Sequence, residues 1–198
     1  LKADILQKME DKDSSMSVRM LSLEILRKIY GFSDICISEG YIPLIRSYIE
    51  NKQYKKAGKT CDYVLNKIKG TTNSSIKWNI AKLYEQKSYI YYKIGKLSKA
   101  IDIINNSLRI YDSICGEENA SYINCEELLV NYLLSSGDTS EASKRASHVA
   151  SFKMNYIDNH FSDLTINERN LLWNKNKKWF DKEIPMFAGK NTDCKLLS

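Results

Sequence analysis

Gly95-Lys96-Leu97-Ser98-Lys99-Ala100 returns 42 residues later as Gly137-Asp138-Thr139-Ser140-Glu141-Ala142. A third version, Lys52-Gln53-Tyr54-Lys55-Lys56-Ala57, ends in an alanine 43 residues ahead of Ala100, and Tyr30-Gly31 stands 85 residues before Cys115-Gly116. A period of about 42 residues marks stacked supersecondary units that cannot bury their apolar faces alone.

Around each of these phrases apolar residues recur at three and four positions, which is the helical period, and no alternation of period two accompanies them. In the central unit a first helix carries Ile80, Leu83, Tyr84, Tyr91 and Ile94, and a second carries Ala100, Ile101, Ile104, Leu108 and Ile110 or Tyr111, so two apolar stripes face each other. Ala57, Ala100 and Ala142 stand where the two helices of a pair come close, and a larger side chain there would cost roughly 1–3 kcal/mol by overpacking. Glycine ahead of the alanine permits a left-handed turn. Lys52 breaks that pattern, which predicts a slightly different turn in its unit.

The 198 residues and 22.9 kDa suit one domain or a short array of repeats, with enough interior to need no disulfide or metal staple. Only 2 prolines and 8 glycines leave few breakers, so long helices are expected. A partial first repeat covers 1–31, with Leu1 to Met9 ending one helix and Ser17 to Tyr30 forming its partner. Further pairs are expected over 34–50 and 53–69, 75–94 and 97–114, and 120–135 and 139–158. After the Phe161-Ser162-Asp163-Leu164 turn, Thr165-Ile166-Asn167-Glu168 reads as a capping box that starts a last helix. That helix carries Leu171, Leu172, Trp173 and Trp179-Phe180, enough apolar surface to close the end of an array. The division is therefore 1–160 for the repeats and 161–198 for a capping helix and a linker toward a further domain.

The hairpin resembles the tetratricopeptide repeat, in which a turn glycine is followed by an aromatic two residues on and an alanine five residues on; Gly95, Leu97 and Ala100 fit, and Tyr54 supplies the aromatic one unit earlier. The spacing, and the loop Gly116-Glu117-Glu118-Asn119-Ala120-Ser121-Tyr122, resemble the longer repeats of kinesin light chains. The resemblance covers about Leu1 to Lys153 and implies an all-α, right-handed α-solenoid. The stretch from Phe161 through Glu168-Arg169, Trp173 and Trp179-Phe180 to Ile184-Pro185-Met186-Phe187-Ala188 looks like the segment that follows the repeats in bacterial proteins with a caspase-like CHAT peptidase domain. That likeness implies a regulatory or sensor arm whose catalytic domain would lie beyond Ser198. The alternative is the repeat module of a transcriptional regulator or sensor kinase.

The repeat frame implies a binding wall on the first helix of each pair. It places Glu39, Ile42, Arg46 and Ile49 there, then Lys82, Glu85, Tyr89, Tyr92 and Lys93, then Asn124, Glu127, Asn131 and Leu134. Tyr89 and Tyr92 stand out, because tyrosine offers wide contact area with few rotatable bonds and one polar tip. Tyr48, Tyr84 and Tyr91 are expected to pack against the next hairpin. The expected occupant is an extended or helical peptide, from another protein or from the same polypeptide, and open array ends offer a second surface for self-association.

Catalytic chemistry finds little support. His148 and His160 have no glycine-framed nucleophile nearby, and Cys36, Cys61, Cys115, Cys125 and Cys194 are scattered without a CxxC pair, so buried free thiols are expected. The acidic pairs Glu117/Glu118 and Glu126/Glu127 point in different directions or sit in loops. No phosphate loop, dinucleotide loop or zinc spacing occurs, so no catalytic residue, metal or cofactor is expected in this segment. The net charge of +6 is spread among both signs, and Lys52, Lys55, Lys56 and Lys59, or Lys175, Lys177, Lys178 and Lys182, read as solvated faces; nucleic acid is not the expected partner. No run approaches the roughly 18 apolar residues of a membrane span. Scattered thiols favour a reducing cytoplasm, although the chain opens on Leu1 without an initiator methionine, which suggests an excised fragment and leaves an export signal ahead of it open.

Overall fold

The computed structural model describes residues 12–70 and 73–188, so the helix expected over Leu1–Met9 and the position of Cys194 lie outside the described residues. Regular structure among the described residues is entirely helical. The elements are α1 (Lys12–Tyr30), a π turn (Cys36–Tyr41) running into α2 (Ile42–Glu50), α3 (Tyr54–Lys67), α4 (Ser74–Lys93), α5 (Leu97–Cys115), α6 (Ala120–Ser136), α7 (Thr139–Phe161) and α8 (Ile166–Ala188). The chain divides into two compact units, Leu1–Leu128 and Leu129–Ser198, with the division inside α6.

The hairpin turns share one backbone solution. Gly95 and Gly137 have φ of 76° and 83°, and Lys52 has φ of 58°, so the lysine adopts the left-handed form that glycine takes elsewhere and the turn expected to differ does not. The hydrogen bonds agree: Gln53 N–H donates to Tyr48 O at 2.8 Å, Lys96 N–H to Tyr91 O at 2.9 Å, and Asp138 N–H to Leu133 O at 3.1 Å. Each spans five residues and, with a three-residue bond beside it, closes a Schellman motif that satisfies carbonyls the helix end would leave orphaned.

In the first unit α2 packs on α3 and α4 on α5. Ala57 and Ala100 are completely buried at these junctions, as their size requires. Leu83, Ala81 and Ile104 are also completely buried in the α4–α5 pair, and the Ser107 hydroxyl donates to Ala81 O at 2.8 Å across it. Ile94, expected on the apolar stripe, is instead exposed, because it occupies the C-cap of α4 where the chain leaves the helix.

The π turn departs from the regular helix expected over 34–50. Ile42 N–H donates to Ile37 O, five residues back. Pro43 supplies a physical reason: it has no N–H, and in a regular helix its ring collides with the carbonyl of Glu39. Widening the preceding turn by one residue relieves the clash. Gly40 lies in this turn against α1, where a Cβ would come 2.7 Å from a Leu23 methyl.

In the second unit Ala142 is completely buried, and Asp138 caps α7 by accepting the Glu141 N–H at 3.1 Å. The capping box of α8 is formed: Thr165 N–H donates to Glu168 Oε2 at 2.9 Å and Glu168 N–H donates to Thr165 Oγ1 at 3.4 Å. The Thr165 hydroxyl also donates to Glu168 Oε2 at 2.7 Å, and this bond first, with the Thr165 N–H bond second, holds the Glu168 carboxyl below its ordinary range. Helix α8 packs on α7, where Lys153 Nζ donates to Asn176 Oδ1 at 3.3 Å and lies 5.6 Å from the Trp179 ring centre. Leu171 and Trp173, expected to help close the end of the array, are exposed, Trp173 beside an open cleft between α7 and α8.

Candidate functional site

Helices α2 and α4 lie side by side in the first unit and enclose an open cavity of about 560 Å³. Ile42, Arg46, Ile49 and Glu50 line it from α2, Lys82, Glu85, Gln86, Tyr89 and Lys93 from α4, Lys52 and Tyr54 from the turn between α2 and α3, and Leu128 from α6. Seven of the thirteen residues placed on the binding wall, Ile42, Arg46, Ile49, Lys82, Glu85, Tyr89 and Lys93, thus meet at one cavity. Glu39 does not join them. The extra residue of the π turn rotates everything before it by about 100° relative to an unbroken helix, and Glu39 is exposed away from the cavity.

Tyr92 lies outside the lining but holds a residue that is in it. The Tyr89 and Tyr92 ring centres are 6.4 Å apart, and Lys93 Nζ sits 5.1 Å from the first and 5.6 Å from the second. The ammonium donates to the Tyr89 hydroxyl, which raises the Lys93 pKa. Both rings are half-buried, so they are neither pure core nor free surface. Asn124 is exposed and Glu127 half-buried, both outside the cavity lining, while Asn131 belongs to the second unit. Tyr48, Tyr84 and Tyr91 are half-buried, with Tyr48 packed against the core of the first unit.

Glu85 has the most perturbed environment in the cavity. Burial pushes its carboxyl up to about 7, against the Tyr111 hydroxyl that donates to it and the positive charges of Lys82 and Arg46. Tyr111 is 1% exposed, stacks edge-on with Trp78 at 5.3 Å, and has its own pKa driven up by burial first and by Glu85 second. Beside Glu85 on the helix, Gln86 Nε2 donates to Ile42 O at 3.3 Å, and its buried Oε1 has no hydrogen-bond partner among the described residues. Gln86, Glu50, Lys52, Tyr54 and Leu128 were not singled out from the sequence; for Gln86 the only signal was its place one residue after Glu85 on the same helix.

A second cavity, about 690 Å³, lies between α7 and α8 and is lined by Met154, Ile157, Asp158, Phe161, Ser162, Arg169, Asn170 and Trp173. Arg169 is already engaged there: its guanidinium lies 4.9 Å from the Phe161 ring centre and donates to Leu164 O at 3.0 Å and Ser162 O at 3.3 Å.

The thiols are placed as weak nucleophiles. Cys36, Cys61 and Cys125 are buried, Cys115 is half-buried where full burial was expected, and all four are free. Burial raises the pKa of each, that of Cys61 to about 12, so little thiolate forms near neutrality. His160 is exposed and stacks on Tyr156 at 4.3 Å. Among the described residues no group of three or more His, Cys, Asp or Glu is placed to hold a metal ion, and no helix is long and apolar enough to cross a membrane.

These features define an all-α repeat protein of tetratricopeptide-like hairpins. Solved structures of similar fold include the kinesin-light-chain-like, nearly identical TPR-like repeats of Podosopora anserina, at 15% identity and a TM-score of 0.59, covering 78% of this chain and 72% of that one. A single-substitution variant of those repeats matches at 14% identity and a TM-score of 0.62, covering 91% and 92%. BtubC (BKLC) from P. vanneervenii matches at 14% identity and a TM-score of 0.60, covering 81% and 70%. No protein-family model and no curated protein matches the sequence.

Proposed function

We propose that this chain is a non-catalytic protein-interaction scaffold that holds a peptide or protein segment in the cavity between α2 and α4. The observation that carries the reading is the convergence of Arg46, Lys82, Glu85, Tyr89 and Lys93 from two different helices on one open cavity. Its makeup suits an extended peptide: tyrosine faces for contact, cations at the rim, and an unpartnered Gln86 carbonyl oxygen for a backbone N–H. The neighbours of like fold, kinesin-light-chain-like repeats among them, support a repeat scaffold of this general kind.

Panning a random peptide library against the purified chain tests the groove. Peptides recovered on the wild type are expected to lose at least tenfold in affinity on the Tyr89→Ala, Tyr92→Ala double variant, with the circular-dichroism melt unchanged. Equal binding by the folded double variant overturns the groove.

The tail segment Phe161 to Ala188 supports a narrower placement, as the regulatory arm of a larger caspase-like CHAT peptidase. The residues encoded after Ser198 test it: a caspase-like fold with a His and Cys dyad supports the placement, and a helix-turn-helix or coiled coil replaces it with a regulator or sensor kinase.

A further inference from the structure

Glu85 is one of two acidic groups in a cavity whose charge is otherwise positive. Arg46, Lys52, Lys82 and Lys93 line it against Glu50 and Glu85. Such an excess draws in an acidic ligand. The groups facing Glu85 come from four helices: Lys82 on its own helix α4, Arg46 on α2, the Tyr111 hydroxyl on α5 and the Cys125 thiol on α6. Behind the carboxyl the protein is closed, since Tyr111 is 1% exposed and Cys125 completely buried, while in front it opens on the cavity.

We infer that Glu85 is the specificity-determining residue of the groove, admitting an acidic side chain of the partner when it holds a proton and refusing it when ionised. The inference rests on the reading of the cavity as a peptide site. Two carboxylates brought together in a partly desolvated space cannot both ionise. Protonated, Glu85 has an O–H to donate to the entering carboxylate, and its other oxygen keeps the Tyr111 hydroxyl. The proton comes from solvent and returns to it when the ligand leaves. Because burial already lifts this carboxyl to about 7, it is available near neutrality. Apparent affinity then follows the protonated fraction, which falls about tenfold between pH 6 and pH 8.

Fluorescence anisotropy with a labelled hexapeptide of alternating glutamate and leucine, and its glutamine-for-glutamate counterpart, tests this on the full chain. The wild type is expected to bind the glutamate peptide about tenfold more tightly at pH 6 than at pH 8, with no such trend for the glutamine peptide. Glu85→Gln, which keeps the shape and removes the titration, is expected to bind the glutamate peptide equally at both pH values. Equal wild-type affinity at both values, or a pH trend that survives in Glu85→Gln, overturns the inference and leaves the groove standing. No binding of either peptide by the wild type at either pH overturns both. A carboxyl-carbon NMR titration of the free chain adds a readout without ligand: a Glu85 midpoint near 7 supports the inference, and one in the ordinary carboxylate range overturns it.

Discussion

The hairpin of α2 and α3 and the hairpin of α4 and α5 are cut to one frame, and three of their differences bear on the cavity. Where the second has Gly95 the first has Lys52; where the second has Glu85 the first has Ile42; and where the second runs on as a regular helix the first carries the π turn ahead of Pro43. What they share is narrower: a completely buried alanine at the helix junction and the same five-residue hydrogen bond at the turn. The difference teaches that close helix approach and left-handed turn geometry are the fixed parts of the unit, whereas the side chains facing the cavity vary widely.

The largest test of that contrast replaces the shared alanines. Ala57→Leu and Ala100→Leu are each expected to lower stability by about 1–3 kcal/mol in urea unfolding, because both sites are closed on every side. A loss at only one of them breaks the equivalence of the two junctions.

The next test uses Glu85 against Ile42. The Glu85 pKa is raised from 4.5 to about 7 in the folded chain, so its contribution to stability is fully present below about 4.5 and lost as pH rises through about 7. Because the group faces an open cavity, the loss is on the order of 1–2 kcal/mol rather than the full linkage value. Urea midpoints at pH 5 and pH 8 are expected to fall more in the wild type than in Glu85→Gln, and identical falls would remove Glu85 as a titrating group.

The smallest effect belongs to the turns. Lys52→Gly is expected to stabilise by about 1 kcal/mol and Gly95→Lys to destabilise by a similar amount, since a side chain in the left-handed region is strained. Thermal melts that leave Lys52→Gly no more stable than the wild type would show that the lysine makes a compensating contact.

Helices and turns were legible because their signals are local. The repeated Gly-to-Ala phrase, the helical spacing of Leu83, Ala100 and Ile104, and the Thr165 to Glu168 box each decide structure within a few residues. The π turn was missed although Pro43 signals it, because one proline near the middle of a helical pattern fixes neither the type nor the place of the irregularity. That miss carried Glu39 into the expected site. The state of Glu85 was not legible at all: it depends on Tyr111, 26 residues on and in the next helix, closing over it. Leu171 and Trp173 misled for a related reason, since apolar residues on a lone terminal helix have no repeat frame to say which face turns inward.

Lys52 bends the chain and also lines the cavity. A glycine at that corner, as at Gly95, bends the chain and presents nothing. The corner of a hairpin is thus a mounting point: any residue able to bear the left-handed backbone can set a new chemical group at the mouth of the cleft, without altering a single residue of the helices that shape it.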